Sequence, residues 1–214
     1  VVDLRRHAAR DGLAQPVIAA IERHLDAGGQ VLVYLNRRGY APTLFCSGCA
    51  WVAPCPSCDA RMTVHMARAR LLCHHCGADS PLPFGCPQCG SEVSPVGQGT
   101  ERVEQALAEL FPASPRVRID RDVISRRGDI ERALEEVASG RARILLGTQM
   151  LTKGHDYPDV TLVAVLNADQ GLFGADFRAS ERLAQQIVQV AGRAGRGDRP
   201  GEVLIQTAYP EHPL

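Results

Sequence analysis

Apolar residues Leu13, Val17, Ile18, Ile21 and Leu25 recur at the spacing of one helix face, and Gly28-Gly29 ends the run as a helix stop should. Residues 31–35 then form a short, wholly apolar stretch of the kind a buried strand requires. Polar Asn36-Arg37-Arg38-Gly39-Tyr40 follows at its C-terminal end, where ligands of open α/β sheets collect. Residues 1–12, rich in charge, read as a lead-in.

The pattern resumes past residue 99. Thr100 is placed to cap a helix through Val103, Leu107 and Leu110, with Glu101 in its favourable first turn and Pro112 beyond its end. Residues 117–119 make a strand closed by Asp120-Arg121-Asp122, and Ile130, Leu134 and Val137 mark a helix stopped by Gly140. Residues 143–146 open onto Gly147-Thr148-Gln149, and residues 161–166 end at Asn167-Ala168-Asp169. A helix over about 179–190 and a strand over 203–206 complete the series. Strands alternating with helices predict an α/β fold whose parallel sheet is covered on both faces, with its polar strand ends gathered on one edge.

Between these halves the composition changes abruptly, which divides the chain into residues 1–43, an insertion over 44–92, and residues 93–214. All eight cysteines fall in the insertion as four C-x2-C pairs: Cys46/Cys49, Cys55/Cys58, Cys73/Cys76 and Cys86/Cys89. An even count also suits disulfides, and thiolate pairs also suit an iron–sulfur cluster. Two-residue knuckles throughout favour two four-cysteine zinc sites. Gly77 and Gly90, each just past a knuckle, permit the positive φ of so tight a turn.

Four knuckles can pair in order, interleaved or nested. Nesting joins Cys46, Cys49, Cys86 and Cys89 in one site and Cys55, Cys58, Cys73 and Cys76 in the other, and it suits an insertion whose ends must lie close; the other pairings stay open. With few large apolar residues here, zinc binding, worth about 10–16 kcal/mol per structural site, supplies the folding energy. Both sites are closed, so the metal is structural rather than catalytic. His65, His74 and His75 read as spare surface histidines, while Trp51 and Phe84 suit either stacking on a base or packing on a knuckle.

Composition sharpens this picture in three ways. With 214 residues, 45% hydrophobic and 22% charged, the chain can bury one good core plus a small metal-held module. Aromatics are only 5%, so an aliphatic core is expected. Net charge is zero, which argues against a generally basic nucleic-acid binder, yet the basic side is almost all arginine, and Lys153 is the single lysine. The chain begins at Val1, with no signal peptide and no apolar run long enough to span a membrane, and is read as a piece of a larger cytoplasmic protein.

The remaining chemistry lies in Gln189-Val190-Ala191-Gly192-Arg193-Ala194-Gly195-Arg196, followed by Gly197. Two arginines three residues apart, where a helix ends among glycines, suit a bidentate grip on phosphate by groups that never lose their charge. The sequence contains no G-x-x-x-x-G-K-[ST] phosphate loop, so the arginines serve a nucleotide held by another domain. They are expected at the sheet edge where Gly147 and Asp156 lie.

Taken together, residues 31–40, the stretch Ile144-Leu145-Leu146-Gly147-Thr148-Gln149-Met150-Leu151-Thr152-Lys153-Gly154-His155-Asp156-Tyr157-Pro158, residues 176–182 and the arginine motif resemble the second, RecA-like motor lobe of superfamily 2 helicases. The eight-cysteine insertion narrows the resemblance to the primosomal replication restart helicases, and it covers essentially the whole chain. The resemblance implies an ATP-dependent 3′ to 5′ DNA helicase that binds stalled forks and acts in primosome assembly. ATP with Mg2+ would sit between two lobes, and two structural Zn2+ would be held by the cysteines. It casts Arg196 as the arginine finger beside Arg193, and Gln189, Asp156 and Gly154 as nucleotide-side groups.

On the DNA side the resemblance assigns Thr148, Gln149 and Lys153 to the phosphates of single-stranded DNA, with Gly99-Thr100-Glu101 near DNA. Its implied partners are single-stranded and forked DNA, primosome proteins such as PriB and DnaT, and single-stranded DNA-binding protein, with no membrane. The zinc module would act as wedge or docking surface. Without the phosphate-loop lobe the chain should be inactive alone. Two rivals belong to other classes: a zinc-dependent interaction module on an ATPase-inactive helicase scaffold, and a thiol redox protein.

Overall fold

The computed structural model describes residues 1–36, 43–46, 48–49, 51–65, 69–73, 75–96, 100–120, 123–124, 128–152, 157–169, 179–196 and 199–213. Lys153, Gly154 and Asp156, together with residues 37–40, His74, Gly99 and residues 176–178, lie outside the described residues. The chain divides into two compact units, Val1–Arg38 with Thr100–Leu214, and Gly39–Gly99.

In chain order the elements are β1 (Val2–Asp3), α1 (Gln15–Asp26), β2 (Gln30–Leu35), β3 (Thr43–Cys46), β4 (Thr63–His65), β5 (Arg70–Leu72), β6 (Asp79–Pro81) and β7 (Val93–Val96). They continue with α2 (Thr100–Leu110), β8 (Arg116–Ile119), α3 (Asp129–Ala138), β9 (Ile144–Gly147), β10 (Val160–Leu166), α4 (Ala179–Ala191) and β11 (Glu202–Thr207).

The larger unit is built on a six-stranded sheet in the order β1-β11-β10-β2-β9-β8, with every pairing parallel. Its central strands β2 and β10 are buried along their whole length, as a sheet covered on both faces requires. Alternate residues of β2 serve opposite faces. Val31, Val33 and Leu35 pack with Val17 and Ile21 of α1 and Val103 and Leu107 of α2. Leu32 and Tyr34 pack on the other side with Ala133 and Val137 of α3 and Val190 of α4. Each such side chain, fully buried, contributes about 1.5–3 kcal/mol.

Two expectations from sequence are corrected here. The core is not purely aliphatic: its largest fully buried side chains are Tyr34 and Tyr157. The charged lead-in contains a strand, since Val2 and Asp3 pair with Gln206 and Thr207 and place a buried Val2 beside Leu13 and Val17 in one cluster. A two-residue strand among charged neighbours has no periodicity to betray it.

Helix α1 ends where the glycine pair predicts, with Gly28 at φ +79°. Its last carbonyls are met by distant arginines. Arg143 donates to the Leu25 carbonyl at 2.8 Å and to that of Gly29 at 3.0 Å, and Arg199 donates to that of Ala27 at 3.2 Å. Cations at a helix C-terminus also meet the favourable end of its dipole.

The smaller unit has an antiparallel pair, β3 with β7, and an antiparallel three-stranded sheet, β4-β5-β6. Its small core gathers Leu44, Ala53, Met62, Val64 and Leu71 around Cys55 and Cys73. Among the described residues, no helix is long and apolar enough to cross a membrane.

Candidate functional site

Helix α4 delivers the arginine motif to a turn fixed by backbone contacts. Gly192 and Arg193 still donate to the Val188 and Val190 carbonyls, each at 3.0 Å, and Gly195 then donates to the carbonyl of Val160 at 3.0 Å. Gly195 has φ +70°, and a Cβ there would lie 2.6 Å from the Gly201 nitrogen. The turn is thus clamped between the start of β10 and the chain entering β11.

The two arginines differ in setting. Arg193 is half-buried, and its positive charge opposes the burial that pushes the Tyr157 phenol up to about 12. Arg196 is exposed, with its Nε donating to the Gly192 carbonyl at 2.7 Å. Gln189 is exposed on α4, one turn ahead of Arg193.

Thr148 and Gln149 stand elsewhere. They follow β9 at the C-terminal edge of the sheet, half-buried, with the amide of Leu151 donating to the Thr148 carbonyl at 3.0 Å. Asn36 lies at the same edge: it is buried, donates from its backbone to Leu166 at 3.1 Å and from Nδ2 to the Ala168 carbonyl at 3.4 Å. The expectation that the arginines share the edge of Gly147 is therefore corrected. Because β9 and β10 both run parallel to β2, Val160 begins β10 at the opposite edge from Gly147. The reason is geometric: α4 follows β10 and runs back along it. Through Tyr34, Gly147 lies level with Val165, so its separation from Val160 along the strands is about 16 Å at about 3.3 Å per residue.

Sequence reading also missed a buried ionic cluster beyond β8. Arg118 Nε donates to Asp120 at 2.7 Å and Nη1 to Glu104 at 3.2 Å, while Asp120 also accepts from the Val123 amide at 3.1 Å. The Thr100 hydroxyl bonds Asp120 too, so this threonine ties the first turn of α2 to the end of β8. Burial alone would raise the Asp120 pKa, but the hydrogen bonds from Arg118, Val123 and Thr100 outweigh it and hold the carboxyl below its ordinary value. The sequence offered Asp120-Arg121-Asp122 only as a polar turn.

In the smaller unit the sulfurs of Cys46, Cys49, Cys86 and Cys89 form one cluster and those of Cys55, Cys58, Cys73 and Cys76 a second, each within 4.8 Å. This is the nested arrangement. The closest sulfur pairs are Cys46–Cys89 and Cys49–Cys86 at 3.5 Å, Cys55–Cys76 at 3.4 Å and Cys58–Cys73 at 3.6 Å. A disulfide needs about 2.05 Å. Four thiolates tetrahedral about zinc, with bonds of about 2.3 Å, stand about 3.8 Å apart. The donor set and spacing therefore fit zinc.

The four knuckles repeat one backbone device, the first cysteine donating to the carbonyl five residues on: Cys46 to Trp51 at 2.8 Å, Cys55 to Ala60 at 2.9 Å, Cys73 to Ala78 at 2.7 Å and Cys86 to Ser91 at 2.7 Å. Gly77 and Gly90 have φ +80° and +73°, as their positions suggested. The Ser91 hydroxyl draws the Cys89 thiol down to about 6, and the Cys76 amide does the same for Cys73. Neither cluster includes His65 or His75. Trp51 packs against the unit's core, whereas Phe84 is fully exposed.

Comparison with known proteins agrees with both units. Residues 55–81 match the family model for the PriA DNA helicase Cys-rich region domain, and residues 99–198 match that for the helicase conserved C-terminal domain. The replication restart protein PriA of Haemophilus influenzae is 51% identical over 215 residues, covering 100% of this chain and 30% of that protein. That of Bacillus subtilis is 44% identical over 216 residues, covering 99% of this chain and 27% of that one. Among solved structures, the yeast DEAD-box splicing factor Prp28 aligns with a TM-score of 0.44 and 12% identity over 95% of this chain and 28% of that chain, too weak a likeness to carry an inference. The chain thus spans less than a third of the length of these PriA relatives. It belongs to the PriA replication restart family, of which it carries the C-terminal helicase lobe and the Cys-rich zinc region.

Proposed function

We propose that this chain is the second motor lobe of an ATP-dependent 3′ to 5′ DNA helicase that binds stalled forks and restarts replication by primosome assembly. Arg196 is the finger that reaches the γ-phosphate of ATP held with Mg2+ on the other lobe, Arg193 is its companion, and Gln189, Gly154 and Asp156 serve the nucleotide side. Thr148, Gln149 and Lys153 grip the phosphates of single-stranded DNA. The insertion over residues 44–92 holds two structural zinc ions and serves as wedge or docking surface for primosome proteins such as PriB and DnaT; single-stranded DNA-binding protein is a further partner.

One observation carries this reading: an arginine pair clamped by backbone to the sheet, in a chain whose sequence holds no phosphate loop. In the longer protein, Arg196→Ala should lower DNA-stimulated ATP hydrolysis by about 10³-fold or more. Arg196→Lys should rescue little, since an ammonium lacks the planar fork. Wild-type hydrolysis by Arg196→Ala would remove the finger assignment, and turnover by the 214-residue chain alone would contradict the shared pocket.

A further inference from the structure

The last turn of α1 carries His24, whose side chain is 14% exposed. Its ring touches two strands at once: Nδ1 lies 2.8 Å from the Thr161 hydroxyl of β10, and Nε2 lies 2.8 Å from the Glu202 carboxylate of β11. An ionised carboxylate can only accept, so Nε2 carries a proton and donates to it. That hydrogen bond, with Arg23 donating to the same oxygen at 2.5 Å, holds the Glu202 carboxyl below its ordinary range against the opposing effect of burial. Thr161 is buried, and its hydroxyl sits over Gly29, where an added Cβ would overlap it. Leu162 and Glu202 are partners in the parallel ladder, so the starts of β10 and β11 lie side by side.

Each partner of His24 is one planar peptide away from a backbone group that grips the arginine turn. Thr161 follows Val160, whose carbonyl accepts from the Gly195 amide at 3.0 Å. Glu202 follows Gly201, whose nitrogen would lie 2.6 Å from a Cβ on Gly195. His24 therefore spans both sides of the clamp from a third element. Arg199 ties the turn to the same helix end, its Nη1 donating to the Ala27 carbonyl at 3.2 Å. Arg143 offers a contrast: it bonds the Leu25 and Gly29 carbonyls from the residue before β9, two strands from β10. A cation placed merely to meet the helix dipole needs no partners on two strands.

We propose that His24 is a positioning residue for the arginine turn: by holding Thr161 and Glu202 through its two ring nitrogens, it keeps Val160 and Gly201 closed on Gly195 and so sets where Arg193 and Arg196 stand. Its consequence for hydrolysis rests on the reading of Arg196 as the finger; its consequence for the clamp does not.

Amide hydrogen exchange of the zinc-loaded chain reads the clamp directly. His24→Ala should speed exchange at the Gly195 amide about tenfold or more, the weight of a hydrogen bond to a charged group, while the amides of Val33 and Tyr34 in β2 keep their rates. His24→Gln, whose amide nitrogen can stand where Nε2 does, should keep the Glu202 contact and restore much of the protection. Arg143→Gln should leave Gly195 protected. In the longer protein His24→Ala should lower the kcat of DNA-stimulated ATP hydrolysis about tenfold with KM for ATP and DNA unchanged, and should add little to the loss already made by Arg196→Ala. Unchanged exchange at Gly195 in His24→Ala, equal acceleration there in Arg143→Gln, deprotection spread evenly over the sheet, or fully additive losses of hydrolysis would overturn the proposal. Should His24→Ala not fold, Thr161→Val removes one of the two contacts, keeps the shape of the strand, and must speed Gly195 exchange in the same way. Wild-type hydrolysis by Arg196→Ala would remove the finger alone, because the exchange measurement does not depend on it.

Discussion

Gly195 and Gly201 meet backbone to backbone: a Cβ on the first would lie 2.6 Å from the nitrogen of the second, and Gly195 also holds φ +70°. Gly195→Ala should therefore combine left-handed strain of about 1–2 kcal/mol with overlap against main chain that cannot swing aside. Gly192 is the control, because its added Cβ would be 3.4 Å from the Val188 carbonyl and its φ is ordinary. We expect urea denaturation to show a loss of about 2 kcal/mol or more for Gly195→Ala and little change for Gly192→Ala. Equal losses would mean that the clamp does not set the turn.

The Arg118–Asp120 pair gives a second prediction, with a pH dependence. Their side chains are 8% and 4% exposed, so Asp120→Ala takes the shorter of its two carboxylate contacts from a buried guanidinium and should cost about 3–5 kcal/mol. The Asp120 carboxyl is held below its ordinary value, so its folded pKa lies below its unfolded one. Its contribution is then fully present above about pH 4 and lost as pH falls through the folded value. Chemical denaturation between neutral and acid pH should show a shallower acid decline in Asp120→Asn than in the unmodified chain. Parallel declines would show that this carboxylate does not govern the acid limb.

Periodicity made the helices and long strands legible, because α1, α2, α3 and α4 each present an apolar stripe, and β2 beyond Gln30 and β10 beyond Thr161 are apolar runs. The cysteine clusters were legible from spacing, since four identical knuckles leave few metals and few pairings. What escaped was non-periodic or depended on direction. Strands β4, β5 and β6 have three residues each, too few for alternation to register. The link from Asp120 to Thr100 joins positions far apart in sequence. The opposite placement of the arginine turn and Thr148 was implicit in elementary dimensions, since a 13-residue helix of about 20 Å following a seven-residue strand of about 23 Å must end near that strand's start.

Metal removal should separate the two units, because their cores share no residue among those described. The sheet clusters contain nothing from residues 44–92, and the third cluster contains only residues from that stretch and Val93. The smaller core is slight, so two four-thiolate sites, each worth about 10–16 kcal/mol, must supply most of its folding energy. Purified chain should hold two zinc ions, and chelation should deprotect the amides of β3 to β7 while those of β2 and β10 keep their slow exchange. The clusters also make single variants asymmetric. Cys55→Ser breaks the site that brackets β4 and β5 and should loosen the β4-β5-β6 sheet, whereas Cys89→Ser breaks the site joined to β3, whose Cys46 pairs with Val93 of β7. Each variant should retain one zinc, measured by atomic absorption, and hydrogen exchange should report a different set of freed amides. Cooperative loss of the large sheet on chelation, or identical exchange patterns in the two variants, would show that the metal sites do not fold as separate local units.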